Sequence, residues 1–303
     1  MFASFLAALF FAVNASCASH SVRAVGPLRA NLGRLVVATV VLAAFAHTIG
    51  GGLASASVGW FFLSGVIGMG FGDLGVYGAL PFLGSRLTVL MTQCLAAPIA
   101  AVGEWWWLGT RLTGPQMLWG AVILAGVAIA IMPTRTSPPR VRIRPVGFLF
   151  GLLAAACQGL GALVSRKGVL VASAAGEAAH NATFGLTATY QRILAGLVFT
   201  AGFLLALRVV GRWPAAPALA AADRGRARGW MIANALAGPV IAVGCYQWAL
   251  ATTPSGIVLP IAATTPLLAI PIAHQFEGDR PTVRSVVGGT IAVAGCIALT
   301  LSR

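Results

Sequence analysis

One carboxylate stands alone among apolar residues in the first third of the chain. Asp73 lies in the segment Gly70-Phe71-Gly72-Asp73-Leu74-Gly75, near the middle of a long apolar run. At the centre of a membrane, an isolated carboxylate costs at least about 2.5 kcal/mol on insertion scales. Asp73 therefore requires a cavity or a partner. It either exchanges a proton or cation or meets an amine, or it bonds to a neighbouring helix and fixes packing.

Three further titratable residues could exchange protons. Glu104 precedes Trp105-Trp106-Trp107, and such tryptophans are typical of the membrane interface, where a carboxylate stays hydrated. His274 lies three residues before Glu277 and so on the same helical face. A histidine there can shuttle protons. For each of these residues the alternative is a purely structural polar group.

The composition indicates which elements must position these residues. Hydrophobic residues make up 58% of the 303 residues and charged residues 9%, which excludes a soluble enzyme and a disordered chain. The net charge of +14 comes from arginines in short connections, so it indicates membrane topology rather than nucleic-acid binding. No nucleophile triad, paired cysteine spacing, metal-ligand cluster or phosphate-binding loop occurs in the sequence. We expect no cofactor, no metal and no enzymatic activity.

Ten apolar runs are long enough to cross a bilayer core about 30 Å thick as helices. They lack the alternation of barrel strands. Met1–His20 is similar to a secretory signal, but it lacks a basic start and has a counterpart in mid-chain, so we assign it to the first helix. The predicted fold is an all-α polytopic membrane bundle with spans at 2–20, 32–52, 59–81, 86–108, 115–133, 146–164, 188–208, 230–250, 255–276 and 283–302.

The second half of the chain repeats the first. Gly59-Trp60 recurs 170 residues later as Gly229-Trp230, and Gly68 recurs as Gly238. Further matched pairs are Asn14 with Gln158, Arg34 with Arg192, Gly120 with Gly289 and Gly126 with Gly295. Because each half has an odd number of helices, the second half must enter the membrane in the opposite orientation.

This repeat defines the predicted domains. Residues 1–133 form the first five-helix repeat, 134–145 a basic linker and 146–303 the second repeat, with an insertion at 168–187 that we interpret as a loop. In secondary transporters, inverted repeats place a binding site between the halves and allow alternating access.

A block of residues occurs once in each half. The first copy comprises Ala79-Leu80, Ser85, Pro98, 108–113, Gln116, Gly120 and Gly126; the second comprises Ala249-Leu250, Ser255, Pro266, Phe276-Glu277, Thr282, Gly289 and Gly295. The pattern resembles the EamA repeat of the drug/metabolite transporter superfamily, including its usual glutamate at the end of the fourth helix, here Glu277. The first copy lacks that glutamate, although Glu104 lies about one turn earlier.

The resemblance implies a ten-helix carrier whose cavity is lined mainly by the first, third and fourth helices of each half. Besides Asp73, the polar residues on those helices are Asn14, Tyr77, Gln93, Gln158, Tyr246 and Gln247. We expect Asn14 and Gln158 to face each other across a pseudo-twofold axis. The alternative is interhelical hydrogen bonding worth about 0.6 kcal/mol per contact.

Prolines interrupt several of the predicted helices. They are Pro98, Pro239, Pro260, Pro266 and Pro271. Each removes a backbone donor, and in lipid the freed carbonyls are tolerated where protein or a wet cavity satisfies them. These helices are therefore expected to line the pathway, with simple kinking as the alternative.

The arginines bear on orientation in the cytoplasmic (inner) membrane. Arg34 and Arg192 are expected to snorkel to headgroups, with binding of an anionic substrate as the alternative. Fifteen basic residues flank one side and five the other, which favours both termini outside. The family resemblance implies the reverse.

The leading functional hypothesis is a secondary transporter, an exporter of small metabolites or drugs that works by alternating access and couples to protons through Asp73. Its partners are a small-molecule substrate and the bilayer. The alternatives are a lipid-linked substrate flippase, a membrane-embedded enzyme and a scaffold without transport activity.

Overall fold

A computed structural model describes residues 1–132, 144–212, 221–265, 267–268 and 283–301, and within these ranges the regular structure is entirely helical. The first half contains α1 (Phe2–Val25), α2 (Pro27–Thr48), α3 (Val58–Gly65), α4 (Gly72–Gly103) and α5 (Gly114–Ile131). Two π-helical segments, π1 (Val66–Phe71) and π2 (Glu104–Leu108), continue α3 and α4 without interruption.

The second half has a similar order of elements. It contains α6 (Pro145–Ala174), α7 (Ala182–Val209), α8 (Ala221–Ala235), π3 (Leu236–Ala242), α9 (Val243–Thr252), α10 (Ser255–Ala262) and α11 (Val283–Leu301). Six helical stretches of the described chain are long and apolar enough to span a membrane, and two shorter apolar helices cover Gly114–Ala130 and Val286–Leu299. The predicted multi-pass helical architecture is confirmed at this level.

The predicted third and fourth spans run along α6 in opposite directions. Its contacts with α6 first descend in residue number and then ascend: Gly68 with Gly161, Gly75 with Ala154 and Gly78 with Phe150, then Met91 with Gly151 and Gly103 with Leu163. The chain therefore reverses direction between Gly78 and Met91, in agreement with two predicted spans joined by a turn. The backbone through this turn keeps helical geometry, so no extended segment separates the two spans.

The expected loop over 168–187 is also much shorter than predicted. α6 continues to Ala174 because Gly168–Ala174 remains apolar, and α7 begins at Ala182. The side chain of Asn181 caps α7 by accepting a hydrogen bond from the backbone N–H of Phe184 at 2.7 Å. Glu177 fixes the short connection by accepting hydrogen bonds from the Ser55 hydroxyl and the Ala56 N–H.

The motif at 108–116 has a clear structural basis. Gly109 has φ 69° and ends π2 in the left-handed conformation that favours glycine. Thr113 then begins α5, because its side chain accepts from the N–H of Gln116 while the Gln116 side chain accepts from the N–H of Thr113. This reciprocal capping box satisfies two backbone donors at the helix start.

Helices α5 and α11 pack antiparallel through glycines. A Cβ on Gly126 would lie 2.6 Å from the backbone N of Ala292, and a Cβ on Gly295 would lie 2.9 Å from Ile123. The rising numbers on α5 therefore meet falling numbers on α11. The helix backbones are in direct contact, as small residues permit in membrane bundles.

Candidate functional site

Asp73 is paired with Arg34 of α2. The Arg34 Nη2 lies 3.1 Å from the Asp73 Oδ2, and the Arg34 Nε donates to Asn31 Oδ1 at 2.8 Å. Both members of the ion pair are mostly buried. Arg34 therefore neutralises a carboxylate inside the bundle, and the expectation that it snorkels to headgroups is wrong.

Glu104 is the most completely buried acid that the structure describes. Its exposed fraction is 1%, so the expected interfacial hydration is not observed, although Trp105 and Trp106 beside it are exposed. Glu104 Oε1 accepts from Arg166 Nε at 3.1 Å, and Oε2 accepts from the backbone N–H of Ser255 at 3.0 Å. Glu104 thus binds the first half to two elements of the second.

The two ion pairs lie at different depths. Trp60, near the start of α3, contacts Trp107 with a ring-centroid separation of 5.8 Å. Glu104 therefore lies near the end of the bundle where α3 begins. Asp73 lies about 20 Å further along the α3 direction from Val58, at 1.5 Å per residue.

Among the predicted cavity residues, Gln93 and Gln158 are brought together. The Gln158 amide donates to Gln93 Oε1 at 3.1 Å. Asn14 instead packs against Gly238 of π3, and its buried Oδ1 has no hydrogen-bond partner among the residues that the structure describes. Gln158 is thus paired with Gln93, and Asn14 contacts Gly238. The expected arrangement, in which Asn14 and Gln158 face each other, is not observed.

Three polar residues of α7 and α9 have buried side-chain atoms with no hydrogen-bond partner among the described residues. Arg192 is 5% exposed, and its Nε has no hydrogen-bond partner in the described part of the chain. The same holds for the Tyr246 hydroxyl and for both amide atoms of Gln247. Tyr246 packs edge-on against Phe11, with ring centroids 6.3 Å apart. Arg192 does not snorkel.

The predicted pathway prolines are distributed over both surface and interior. Pro98 is exposed on α4, whereas Pro239 in π3 and Pro260 in α10 are buried. Pro266, Pro271, His274 and Glu277, as well as the side chain of Tyr77, lie outside the described residues.

Two residues that form polar contacts between the helices were not predicted from the sequence. Arg166 was counted only as a topology marker, yet it binds Glu104 and the carbonyl of Leu250. Ser64 donates to the Gly161 carbonyl at 2.6 Å and contacts Ser165 at 2.8 Å. The signal for Arg166 was its position in a long apolar run without a nearby acid in sequence, which indicates a distant counter-charge.

Comparisons with known proteins agree with this architecture. Among solved structures, 28 chains match significantly. One crystal structure aligns with a TM-score of 0.75 over 99% of this chain and 96% of its own, at 17% sequence identity, a level at which the likeness shows the fold alone. No curated protein matches the chain significantly.

A family model identifies the family of the chain, which the solved structures do not. The model of the EamA-like transporter family matches residues 1–132 and 145–301, which is nearly the whole chain in two segments. Members of this family are membrane transporters rather than enzymes. The chain therefore belongs to the EamA-like transporter family of the drug/metabolite transporter superfamily.

Proposed function

We propose that this transporter is a secondary carrier that exports small metabolites or drugs across the cytoplasmic membrane by alternating access between two inverted halves. The observation that carries the proposal is the reciprocal antiparallel packing of α5 and α11. Gly126 corresponds to Gly295 in the repeat, and Ile123 corresponds to Ala292 at the same offset. The contact of Gly126 with Ala292 is thus mirrored by that of Gly295 with Ile123, as a twofold axis between the halves requires.

The π-helical segments support the same symmetry. π1 begins at Val66 and π3 begins at Leu236, which is the repeat offset of 170 residues. They contain Gly68 and Gly238, which face Arg192 and Asn14 respectively. π-helical turns occur frequently at functional sites. Matched irregularities in both halves favour a binding region at this level of the bundle.

Movement between the halves would have to break the Glu104 cluster. Arg166 and Ser255 belong to the second half and Glu104 to the first. Rocking one half against the other separates these groups. We therefore assign Glu104 and Arg166 to a gate at the end of the bundle where α3 begins.

Asp73 is suited to proton coupling because its ion pair lies within one half. Protonating Asp73 would remove the negative charge that lies 3.1 Å from the Arg34 guanidinium and so weaken the contact between α2 and α4. Coupling in this form links one proton at Asp73 to a rearrangement of α2 against α4.

The test uses the purified chain in liposomes with an imposed pH gradient. Proton flux is measured against a library of amino acids, amines, nucleosides and cationic drugs. We expect flux that requires both a particular compound and Asp73, and loss of coupling in Asp73→Asn. Glu177→Gln, a matched change in the connection before α7, should retain coupling. If no compound crosses, the carrier assignment fails and the flippase and scaffold alternatives remain.

A further inference from the structure

The buried charge of Arg192 is not balanced within the described chain. Arg192 lies near the middle of α7, its exposed fraction is 5%, and it forms no ion pair or hydrogen bond among the described residues. A guanidinium remains protonated in proteins, so the residue cannot become neutral on burial. Removing an unpaired charge from water is expensive unless an opposite charge meets it.

The Arg192 guanidinium lies against a glycine of π1. A Cβ on Gly68 would lie 3.1 Å from the Arg192 Nη2, so the guanidinium occupies the room that this glycine leaves. Helix α9 packs against α7, where Gly185 contacts Trp248, and the buried Tyr246 hydroxyl of α9 has no hydrogen-bond partner among the described residues. A buried cation on α7 and a buried hydroxyl on the neighbouring α9 therefore both lack a partner within the described chain.

The repeat provides an internal comparison for this arginine. Arg34 is the counterpart of Arg192 and is paired with Asp73. The residue that follows Asp73 by the repeat offset of 170 is Val243, the first residue of α9. The second half has thus kept the arginine without the acid that neutralises it in the first half.

We propose that Arg192 and the Tyr246 hydroxyl bind the carboxylate group of the transported molecule, so that the substrates are small monocarboxylates. The proposal rests on the carrier function proposed above and names its substrate class. One guanidinium balances one negative charge, and its planar fork matches a carboxylate in a bidentate arrangement. A dianion would leave a second charge buried and unpaired at this site.

The first test measures binding without any gradient. The full chain in phosphatidylcholine nanodiscs is heated with acetate, benzoate or indole acetate, and in parallel with the corresponding neutral amides. We expect at least one carboxylate to raise the melting temperature and its amide to have no effect. Arg192→Gln should weaken that carboxylate by about 30-fold or more, since truncating one partner of a buried charged contact has effects of this size. Tyr246→Phe should weaken it less.

A second variant keeps the test decisive if Arg192→Gln fails to fold. Val243→Asp places a carboxylate at the position equivalent to Asp73 and should occupy Arg192 internally. We expect this variant to lose the carboxylate response while remaining at least as thermally stable as the wild type. Val243→Asn, which adds the same bulk without the charge, should keep the response.

Three outcomes would overturn the site. They are equal stabilisation by carboxylates and amides, an unchanged carboxylate affinity in Arg192→Gln and Val243→Asp, and stabilisation only by inorganic phosphate or by phosphatidylglycerol in the nanodisc. The last would identify a phosphate or lipid headgroup as the anion. Carboxylate binding without flux in liposomes would support the site and count against the carrier. Flux of neutral or cationic compounds without carboxylate binding would support the carrier and count against the carboxylate site.

Discussion

Arg166 of α6 extends to Glu104 at the end of α4, with its Nε 3.1 Å from the carboxylate oxygen Oε1. The contact joins residues 62 positions apart and crosses from one half of the chain to the other. The same carboxylate holds the first backbone N–H of α10 through Ser255. One buried acid therefore ties α4, α6 and α10 together at one end of the bundle.

Replacing this acid should destabilise the protein. In Glu104→Gln the Arg166 guanidinium loses its counter-charge in a buried setting, and breaking such a pair costs about 3 kcal/mol or more. We expect a clear fall in the melting temperature of the detergent-solubilised protein. Glu177→Gln makes the same chemical change in a connection between helices and should cost much less. Equal effects of the two substitutions would contradict the central role of Glu104.

The close contact of α5 and α11 predicts a sharp difference between two adjacent glycines. A Cβ on Gly288 would lie 2.6 Å from the backbone N of Ala130, whereas a Cβ on Gly289 would meet no atom within 4 Å. Gly288→Ala should therefore force the helices apart and cost about 1–3 kcal/mol, the usual range for overpacking. Gly289→Ala should be nearly neutral. Thermal unfolding of both variants side by side tests the packing, and similar melting temperatures would refute it.

The Arg34–Asp73 pair predicts non-additive substitutions. Asp73→Asn removes the carboxylate from Arg34, and Arg34→Gln removes the cation from Asp73. Because each single change leaves one charge without this partner, the double variant should be more stable than the sum of the two effects. We expect a coupling of about 1–3 kcal/mol from a double-mutant cycle of unfolding measurements. Strict additivity would mean that the two charges act independently.

The distribution of basic residues predicts the orientation in the membrane. With the buried Arg34, Arg166 and Arg192 left out, fourteen lie beside the connections after the odd-numbered predicted spans and three on the opposite side, so the positive-inside rule predicts that the C-terminus is outside the cytoplasm. A reporter enzyme that is active only in the cytoplasm should be silent when fused after Arg303. The same reporter inserted in the basic segment 134–145 provides the control and should be active. An active fusion at Arg303 would reverse the assignment.

Helix positions could be predicted largely from hydrophobicity, because lipid requires long apolar helices with internal hydrogen bonds. The register of the repeat also predicts that Arg34 and Arg192 are counterparts. Sequence spacing could not show which charges meet, since Glu104 and Arg166 are distant along the chain and come together only through packing. It also could not show that the chain stays helical where it turns between Phe82 and Met91. Burial of Glu104 was missed because its tryptophan neighbours point outward while it points inward.

The matched positions of π1 and π3 also affect how the two halves are compared. A π-helical turn accommodates one residue more than the α-helical turn it replaces. Because π1 and π3 begin 170 residues apart, the extra residue occurs in both halves. The numbering after each widened turn therefore stays in step, and Asp73 can be compared directly with Val243.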